Sequence, residues 1–130
     1  MAITIGKVSL ETKKYLIMLL YDCFGGATTP EIHKKTKQLQ GILVEKYGVT
    51  MDYMFSGPSI NLVWSNELQS DIERYESLGM ILENDPAKLT ELGYFIMKTT
   101  MQQNLGKHFG PEFIQNIKNY LLTAPEIGED

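Results

Sequence analysis

Apolar residues recur along the chain at spacings that predict five helices and one β-hairpin. The first helix is predicted over about residues 9–24, because Ser9 can cap its start and Gly25-Gly26 can end it. Its centre, residues 15–21, is apolar on nearly every side. A helix without a polar face is usually buried in the middle of a fold, so this one needs covering on every side.

The second helix has clear boundary signals. Thr29 is the predicted cap, Pro30 takes the first helical position, and Gly48 ends the helix. Its apolar stripe consists of Ile32, Thr36, Leu39, Leu43 and Tyr47. The densest basic cluster of the chain is expected mostly off that stripe, and it consists of His33, Lys34, Lys37 and Gln38.

Residues 51–63 predict extended chain, with one short strand before a turn at Gly57-Pro58. A third helix follows, starting at the cap Ser65 and ending at Gly79. Its predicted inward stripe consists of Leu68, Ile72, Tyr75 and Leu78. The expected cost of truncating one of these buried leucines is several kcal/mol, roughly 2–5.

A hairpin and two further helices complete the predicted fold. Strand Met80-Ile81-Leu82, an acidic turn at 83–86 and the return Lys88-Leu89 form the hairpin. Thr90 caps a fourth helix, which contains Leu92, Tyr94, Phe95, Met97 and Met101. Gly106 and Gly110-Pro111 are predicted to separate it from a fifth helix at about 111–123. The acidic tail, residues 124–130, is expected to be flexible.

The stretch "LGMILENDPAKLTELG" resembles the winged-helix (winged helix-turn-helix) DNA-binding domains, whose third helix ends in leucine-glycine before an apolar strand and a Leu-Thr-x-x-Gly exit. Here those positions are Leu78-Gly79, Met80-Ile81 and residues 89–93. The resemblance implies a mainly α fold with a small β-hairpin wing and added N- and C-terminal helices, with a core over about residues 9–103. It also implies a transcriptional regulator that binds double-stranded DNA.

A weaker resemblance, over residues 36–93, is to the YwgA-like and Panacea-type small proteins found among antitoxins, phage proteins and archaeal proteins. It lies in "TKQLQGIL", then Gly57-Pro58, then "WSNELQSDI", where Trp64 stands in place of a tyrosine. The chain departs from that pattern by five extra residues, 59–63. This resemblance implies a fold and a loose functional neighbourhood, and no reaction.

Length and composition indicate one ordinary domain. The chain has 130 residues, of which 43% are hydrophobic, and a single cysteine, Cys23, which excludes an internal disulfide. The apolar run at 15–21 is too short to span a bilayer, and it lacks the cleavage pattern of a signal peptide. We therefore expect a cytoplasmic protein without membrane contact.

Charge is unevenly distributed, and this bears directly on DNA binding. Residues 1–50 carry a net charge of +3, residues 51–91 carry −6, and the remainder carries −1. Phosphate neutralisation supplies most affinity for nucleic acid, so the first segment alone has a useful excess. The predicted recognition helix, the third, carries four acids and one base on its solvent face, and Arg74 is the single arginine of the chain.

Two readings of function therefore stay open: a winged-helix DNA-binding regulator, and a winged-helix protein-interaction module, antitoxin-like or adaptor, that does not touch DNA. The DNA-binding hypothesis assigns phosphate contacts to the second helix and base contacts to the start of the third. A solvated helix face explains the same residues equally well. The candidate DNA-binding residues are Lys34, Lys35, Lys37, Asn66, Gln69, Ser70 and Arg74.

The last helix presents more apolar groups than water would tolerate, so they either fold back onto the first helix or pair with a second copy, and a homodimer is expected. Its helix contacts would come from the first, fourth and fifth predicted helices, and the candidate interface residues are Phe113, Ile114, Ile117, Tyr120 and Leu121. Catalytic chemistry is not expected: phosphate-loop and dinucleotide fingerprints are missing, and His33 and His108 lie far apart without carboxylates at ligand spacing. Metal ions and cofactors are likewise not expected.

Overall fold

The computed structural model describes residues 6–25, 28–59, 62–82 and 88–123. The predicted tail at 124–130 and the predicted wing turn at 83–86 lie outside the described residues. Within those ranges the chain is mainly helical. The helices are α1 (Leu10–Cys23), α2 (Thr29–Tyr47), α3 (Asn66–Ser77), α4 (Glu91–Ile96), α5 (Gln102–Phe109) and α6 (Phe113–Thr123), with a π-helical segment, Met97–Met101, joining α4 to α5.

Six short strands form three separate two-stranded sheets among the described residues. Strands β1 (Gly6–Lys7) and β2 (Val49–Thr50) pair in parallel. Strands β3 (Ser56–Ser59) and β4 (Leu62–Trp64) form one antiparallel hairpin, and β5 (Ile81–Leu82) and β6 (Lys88–Leu89) form another. The last of these is the β-hairpin that the sequence predicts over residues 80–89, and this hairpin is confirmed.

Helix α1 lies at the centre of the core, as its sequence predicts. Residues 15–21 are at most 3% exposed, so every face of this part of the helix is covered. The covering elements are α2, β6, the π-helical segment and α5. Ser9 caps the helix by accepting a hydrogen bond from the Thr12 amide at 3.1 Å.

Helix α2 begins one residue earlier than predicted, because Thr28 and not Thr29 is its cap. Thr28 Oγ1 accepts from the Glu31 amide at 3.3 Å, and Glu31 Oε1 accepts from the Thr28 amide at 3.0 Å. This reciprocal pair satisfies two helix-end amides, which a cap at Thr29 could not do with the same glutamate. Gly48 ends the helix with a left-handed φ of 66°, as predicted.

The segment between α2 and α3 differs from its prediction. Gly57 and Pro58 lie inside strand β3 and not in a turn, and the paired strand β4 was not predicted. The start of the segment is held by Gln40, whose side-chain Oε1 accepts from the Tyr53 amide at 2.9 Å and whose Nε2 donates to the Tyr53 carbonyl at 3.0 Å. One glutamine thus satisfies both backbone groups of an extended residue.

Helix α3 buries three of the four residues of its predicted stripe, namely Leu68, Ile72 and Tyr75. The prediction for Leu78 is wrong, since its side chain is 54% exposed. The helix ends in a Schellman motif: the Met80 amide donates to the Tyr75 carbonyl and the left-handed Gly79 amide to the Glu76 carbonyl. This turn brings Met80 and the following strand beneath the helix, and Met80 takes the buried place that Leu78 was expected to fill.

Helix α4 approaches the wing very closely at Gly93. A Cβ atom at this position would lie 2.0 Å from the Met80 carbonyl oxygen, a distance that real Cβ atoms do not adopt. Thr90 fixes the approach, since its hydroxyl donates to the Gly79 carbonyl and accepts from the Gly93 amide. The Thr and Gly of the Leu-Thr-x-x-Gly exit therefore both serve the packing of α4 against Met80, which precedes β5, and against Leu89 of β6.

The C-terminal half folds back onto the core. Gly106 lies inside α5 and does not break the helix, so that prediction is wrong; the break comes at Gly110, with a φ of 101°, before Pro111. Helix α6 then buries the rings and aliphatic groups of its inner face against α2 and α5. Phe113 stacks on Phe109 with ring centroids 4.4 Å apart. Among the described helices, none has the length and apolar character to cross a membrane.

Candidate functional site

The predicted base-reading residues of α3 are only partly available to a ligand. Asn66 and Ser70 are exposed. Gln69 is half-buried: its Oε1 lies 2.9 Å from His33 Nε2, and its Nε2 donates to Glu73 Oε2 at 3.3 Å. Both ends of this amide are therefore engaged inside the chain, which leaves Gln69 poorly placed for reading bases.

Arg74, the remaining candidate on α3, is directed toward a carboxylate of its own helix. Its Nη1 atom lies 3.7 Å from Asp71 Oδ1. The other exposed ionisable groups on α3 are the carboxylates of Glu67 and Glu73. The exposed face of α3 therefore carries an excess of negative charge, which repels phosphate.

The predicted phosphate-binding lysines of α2 point in different directions. Lys37 is exposed beside Gln40 and Val44 on the groove facing Tyr53 and Phe55. Lys35 is half-buried, with Nζ 4.9 Å above the ring of Phe24 at the end of α1. Lys34 is also half-buried. The structure thus places the ammonium groups of Lys35 and Lys37 in different surroundings, and only Lys37 of the three lysines is exposed.

His33 is completely buried at the junction of α2, β4 and α3, which corrects its predicted place in an exposed basic cluster. Its Nδ1 accepts a hydrogen bond from the Ser65 amide at 3.1 Å. The ring therefore carries its proton on Nε2, which donates to Gln69 Oε1. The imidazole also stacks on Trp64, with centroids 3.8 Å apart and planes 8° from parallel. Gln38, expected beside it, is buried as well.

Burial lowers the pKa of His33, while the hydrogen bond to Gln69 opposes that shift. Protonation of Nδ1 would place a second N–H against the Ser65 amide, where an acceptor is required. The nearby ionisable groups are Glu73, bonded to Gln69, and Glu67, which accepts from the Ser65 hydroxyl. Neither carboxylate is in hydrogen-bond contact with the imidazole among the bonds described. The folded protein therefore favours neutral His33.

Because the folded protein favours neutral His33, we predict that its stability decreases at acidic pH. Because the pKa of His33 is lower in the folded chain than its ordinary value of about 6.5, its stabilisation is complete above that pH and is lost as the pH falls through the lower folded value. We expect the contribution of this group to the free energy of unfolding to decrease as the pH falls from about 6.5 to the lower folded pKa, and to be absent below it. Urea denaturation at a series of pH values, followed by Trp64 fluorescence, measures the effect.

The control uses the second histidine of the chain. His33→Asn retains an acceptor oxygen for the Ser65 amide and removes the titration, so the pH dependence between about 5 and 7 should flatten. His108→Asn makes the same substitution at an exposed position and serves as the matched variant. Equal pH profiles for the two variants would contradict the buried neutral imidazole.

Asp71 forms a second polar cluster, which links α1 to α3. Tyr53 donates to Asp71 Oδ2 at 2.6 Å, and Lys13 Nζ lies 4.0 Å from the same oxygen and 4.7 Å above the Tyr53 ring. Burial is the largest cause that raises the pKa of both Tyr53 and Tyr75, so both phenols stay protonated. Asp71 belongs to the predicted solvent face of α3, but in the structure its carboxylate contacts Tyr53 and Lys13 and so connects α3 to α1.

The fourth predicted helix, expected to contribute to a dimer contact, corresponds to α4, and its exposed face is strongly apolar. Phe95 is 64% exposed, Tyr94 45% and Leu92 48%. The two rings lie at successive positions of one stripe, Glu91, Tyr94, Phe95 and Lys98, with i, i+3, i+4 and i+7 spacing. All four side chains are exposed, and Lys98 Nζ lies 4.9 Å above the Tyr94 ring. We call these four residues the α4 stripe.

The α4 stripe is extended by the end of α3 and followed by a local change of helix type. A Cβ at Gly79 would lie 3.8 Å from Leu92 Cδ2, so the exposed Leu78-Gly79 corner adjoins Leu92. The chain becomes π-helical at Met97, after Ile96, so Lys98 of the stripe lies in the π-helical segment. The Thr99 hydroxyl donates back to the Phe95 carbonyl at 2.9 Å. π-Helical turns are uncommon and occur frequently at functional positions.

The predicted dimer residues of α6 are mostly used inside the chain. Phe113, Ile117 and Leu121 are at most 2% exposed, so in this fold they cannot contact a second copy. They fold back toward the core, the alternative that their amphipathic spacing also permits. Ile114 is half-buried, and Tyr120 is 38% exposed with Lys46 Nζ 5.6 Å above its ring.

The part of the chain that the structure describes contains no group of three or more His, Cys, Asp or Glu side chains that could hold a metal ion. Cys23 is half-buried beside Asp22 and Lys118, and burial raises the pKa of its thiol to about 11, which disfavours the reactive thiolate. The α4 stripe therefore remains the principal candidate site. Comparisons of the chain with protein-family models, with curated proteins and with solved structures give no match.

Proposed function

We propose that this chain is a winged-helix-like protein-interaction module that binds protein through the α4 stripe, and not a regulator that inserts α3 into DNA. The observation that carries the proposal is the exposure of two adjacent aromatic rings, Tyr94 and Phe95, on one helix face. Exposed aromatic groups contribute strongly to protein interfaces, because they bury large area with few rotatable bonds.

The order of elements supports the winged-helix part of the proposal. Helices α1, α2 and α3 precede the β5–β6 hairpin, and α4 follows it. One departure bears on function: hairpin β3–β4 and its flanking residues separate α2 from α3, where a helix-turn-helix has a turn of three to four residues. The order of elements is therefore similar to that of a winged helix, but the connection between α2 and α3, which would face DNA, is different.

The chemistry of α3 favours the same choice. Exposed Glu67 and Glu73 would meet phosphates if the helix entered a groove, and Arg74 lies beside Asp71. The DNA-binding alternative retains Asn66 and Ser70 at the start of α3 and Lys37 on α2. These groups offer little neutralisation for a site that needs several phosphate contacts.

A photoreactive phenylalanine analogue in place of Phe95 tests the proposal in an extract of the source cells. We expect cross-links to protein from this position, and fewer from the same analogue in place of Leu122, which is similarly exposed at 60% on α6. Protein cross-links of equal intensity at both positions, or none at Phe95, would overturn the proposal.

DNA binding is tested separately by fluorescence anisotropy with random-sequence duplexes at low salt. We expect no binding that depends on α3, so Asn66→Ala and Gln69→Ala should leave the titration unchanged. Should binding appear, and should Lys34→Ala and Lys37→Ala each flatten its salt dependence by roughly one unit of slope, the DNA-binding alternative would replace this proposal.

A further inference from the structure

We infer that the partner bound by the α4 stripe is a second copy of this chain, with the two α4 helices packed antiparallel across a two-fold axis. The inference rests on the proposed function, because it uses the same surface. It adds the identity of the partner and the geometry of the contact. Two-fold pairing is the commonest way in which identical chains associate.

Charge order along the α4 stripe supports self-association. Glu91 lies at one end of the aromatic pair Tyr94 and Phe95, and Lys98 lies at the other end, seven residues after Glu91. In an antiparallel pair centred between Tyr94 and Phe95, Glu91 of each copy faces Lys98 of the other. A two-fold axis makes each such pair occur twice. The same stripe placed parallel to itself would set like charges opposite each other, which fixes the antiparallel direction.

The apolar part of the surface fits the same arrangement. The two rings of one stripe meet the two rings of the other at the axis, so Tyr94 of one copy faces Phe95 of its partner. Leu92 and Leu78 lie beside the stripe at the end nearest the wing and widen the contact. A partner with a purely basic face would leave Lys98 opposed by a like charge, and a duplex would leave Glu91 opposed by phosphate.

The interface on α6 that the sequence predicts is less suited to this role. Its buried members are committed to the core, and its exposed apolar groups, Tyr120 and Leu122, have no neighbouring exposed aromatic ring on α6. Helix α6 has no comparable alternation of aromatic and oppositely charged groups: half of its exposed positions are the amides Gln115, Asn116 and Asn119. Two of them, Gln115 and Asn119, bond each other at 3.1 Å.

Charge reversal with rescue tests the geometry, using light scattering and sedimentation of the full chain. The native chain should be a dimer. Glu91→Lys alone and Lys98→Glu alone should each raise the dissociation constant at least about tenfold, since each creates two like-charge pairs. Mixing the two single variants should restore association as a mixed dimer, and the double variant should restore the homodimer. Phe95→Ser should abolish it.

Control measurements keep this test independent of folding and of the proposed function. Both charged positions and Phe95 are exposed, so all variants should melt within a degree or two of the native chain. Leu122→Ser should still dimerise. A monomeric native chain, or failure of the mixed variants to associate, would overturn the self-association. If the native chain is monomeric but Phe95 cross-links to another protein in extract, the proposed function stands and only the self-association is overturned. If Phe95 cross-links to no protein at all, the proposed function and the self-association are both overturned.

Discussion

Gly93→Ala should destabilise the protein by about 3 kcal/mol or more, which corresponds to a fall in melting temperature of roughly 10 °C. The added Cβ would lie 2.0 Å from the Met80 carbonyl oxygen and 3.0 Å from its carbon, and both belong to the backbone. Neither can rotate away as a flexible side chain would. Helix α4 must therefore shift off the wing, and the Thr90 hydrogen bonds to the Gly79 carbonyl and the Gly93 amide would be strained.

Gly41→Ala is the matched control, because it makes the same chemical change in a helix with open space around it. No atom lies within 4 Å of a Cβ built at Gly41, which is exposed on α2. Alanine should there stabilise the protein by roughly 0.5–1 kcal/mol through its higher helix propensity. Thermal denaturation followed by circular dichroism compares the two. Equal tolerance of both substitutions would contradict the close packing of α4 against the Met80 backbone.

The sequence pattern marks a glycine at position 93 but does not show why glycine is required there. The Leu-Thr-x-x-Gly pattern marks Thr90 as a helix cap, and the structure confirms that cap. The need for glycine arises from the distance between two backbones that are thirteen residues apart in sequence, and no local pattern encodes that distance. Helix boundaries and caps follow from local hydrogen bonding, which explains why Ser9, Ser65 and Thr90 are all confirmed as caps.

Burial is harder to predict than helicity, as His33 and Leu78 show in opposite directions. Helical spacing places His33 off the apolar stripe, yet Trp64 and the Ser65 amide enclose it once β4 packs on α2. Leu78 continues the stripe of α3 in sequence, but the Schellman turn after it supplies Met80 to the core instead. Both outcomes depend on residues that come from another element or after a chain reversal.

The candidate surface illustrates the same limit. The spacing of Glu91, Tyr94, Phe95 and Lys98 is visible in the sequence, and so is the helix that carries them. Which side of that helix faces water depends on how Gly93 and Met97 pack inward. Periodicity also gives little sign of β1 and β2, because each strand is two residues long and their partner choice is set by tertiary contact.

Leu68→Ala should lower the free energy of unfolding by several kcal/mol more than Leu78→Ala, although both residues belong to the stripe predicted for α3. Leu68 is fully buried, so its truncation removes packing and leaves a cavity, at an expected cost of about 2–5 kcal/mol. Leu78 is 54% exposed at the last turn, and its truncation should cost no more than roughly 0.5 kcal/mol. Both substitutions remove the same side-chain atoms, one from within α3 and one from the residue that caps its C-terminus. Urea denaturation at neutral pH gives both values. Similar losses would place Leu78 in the core and restore the four-residue stripe that the sequence predicts.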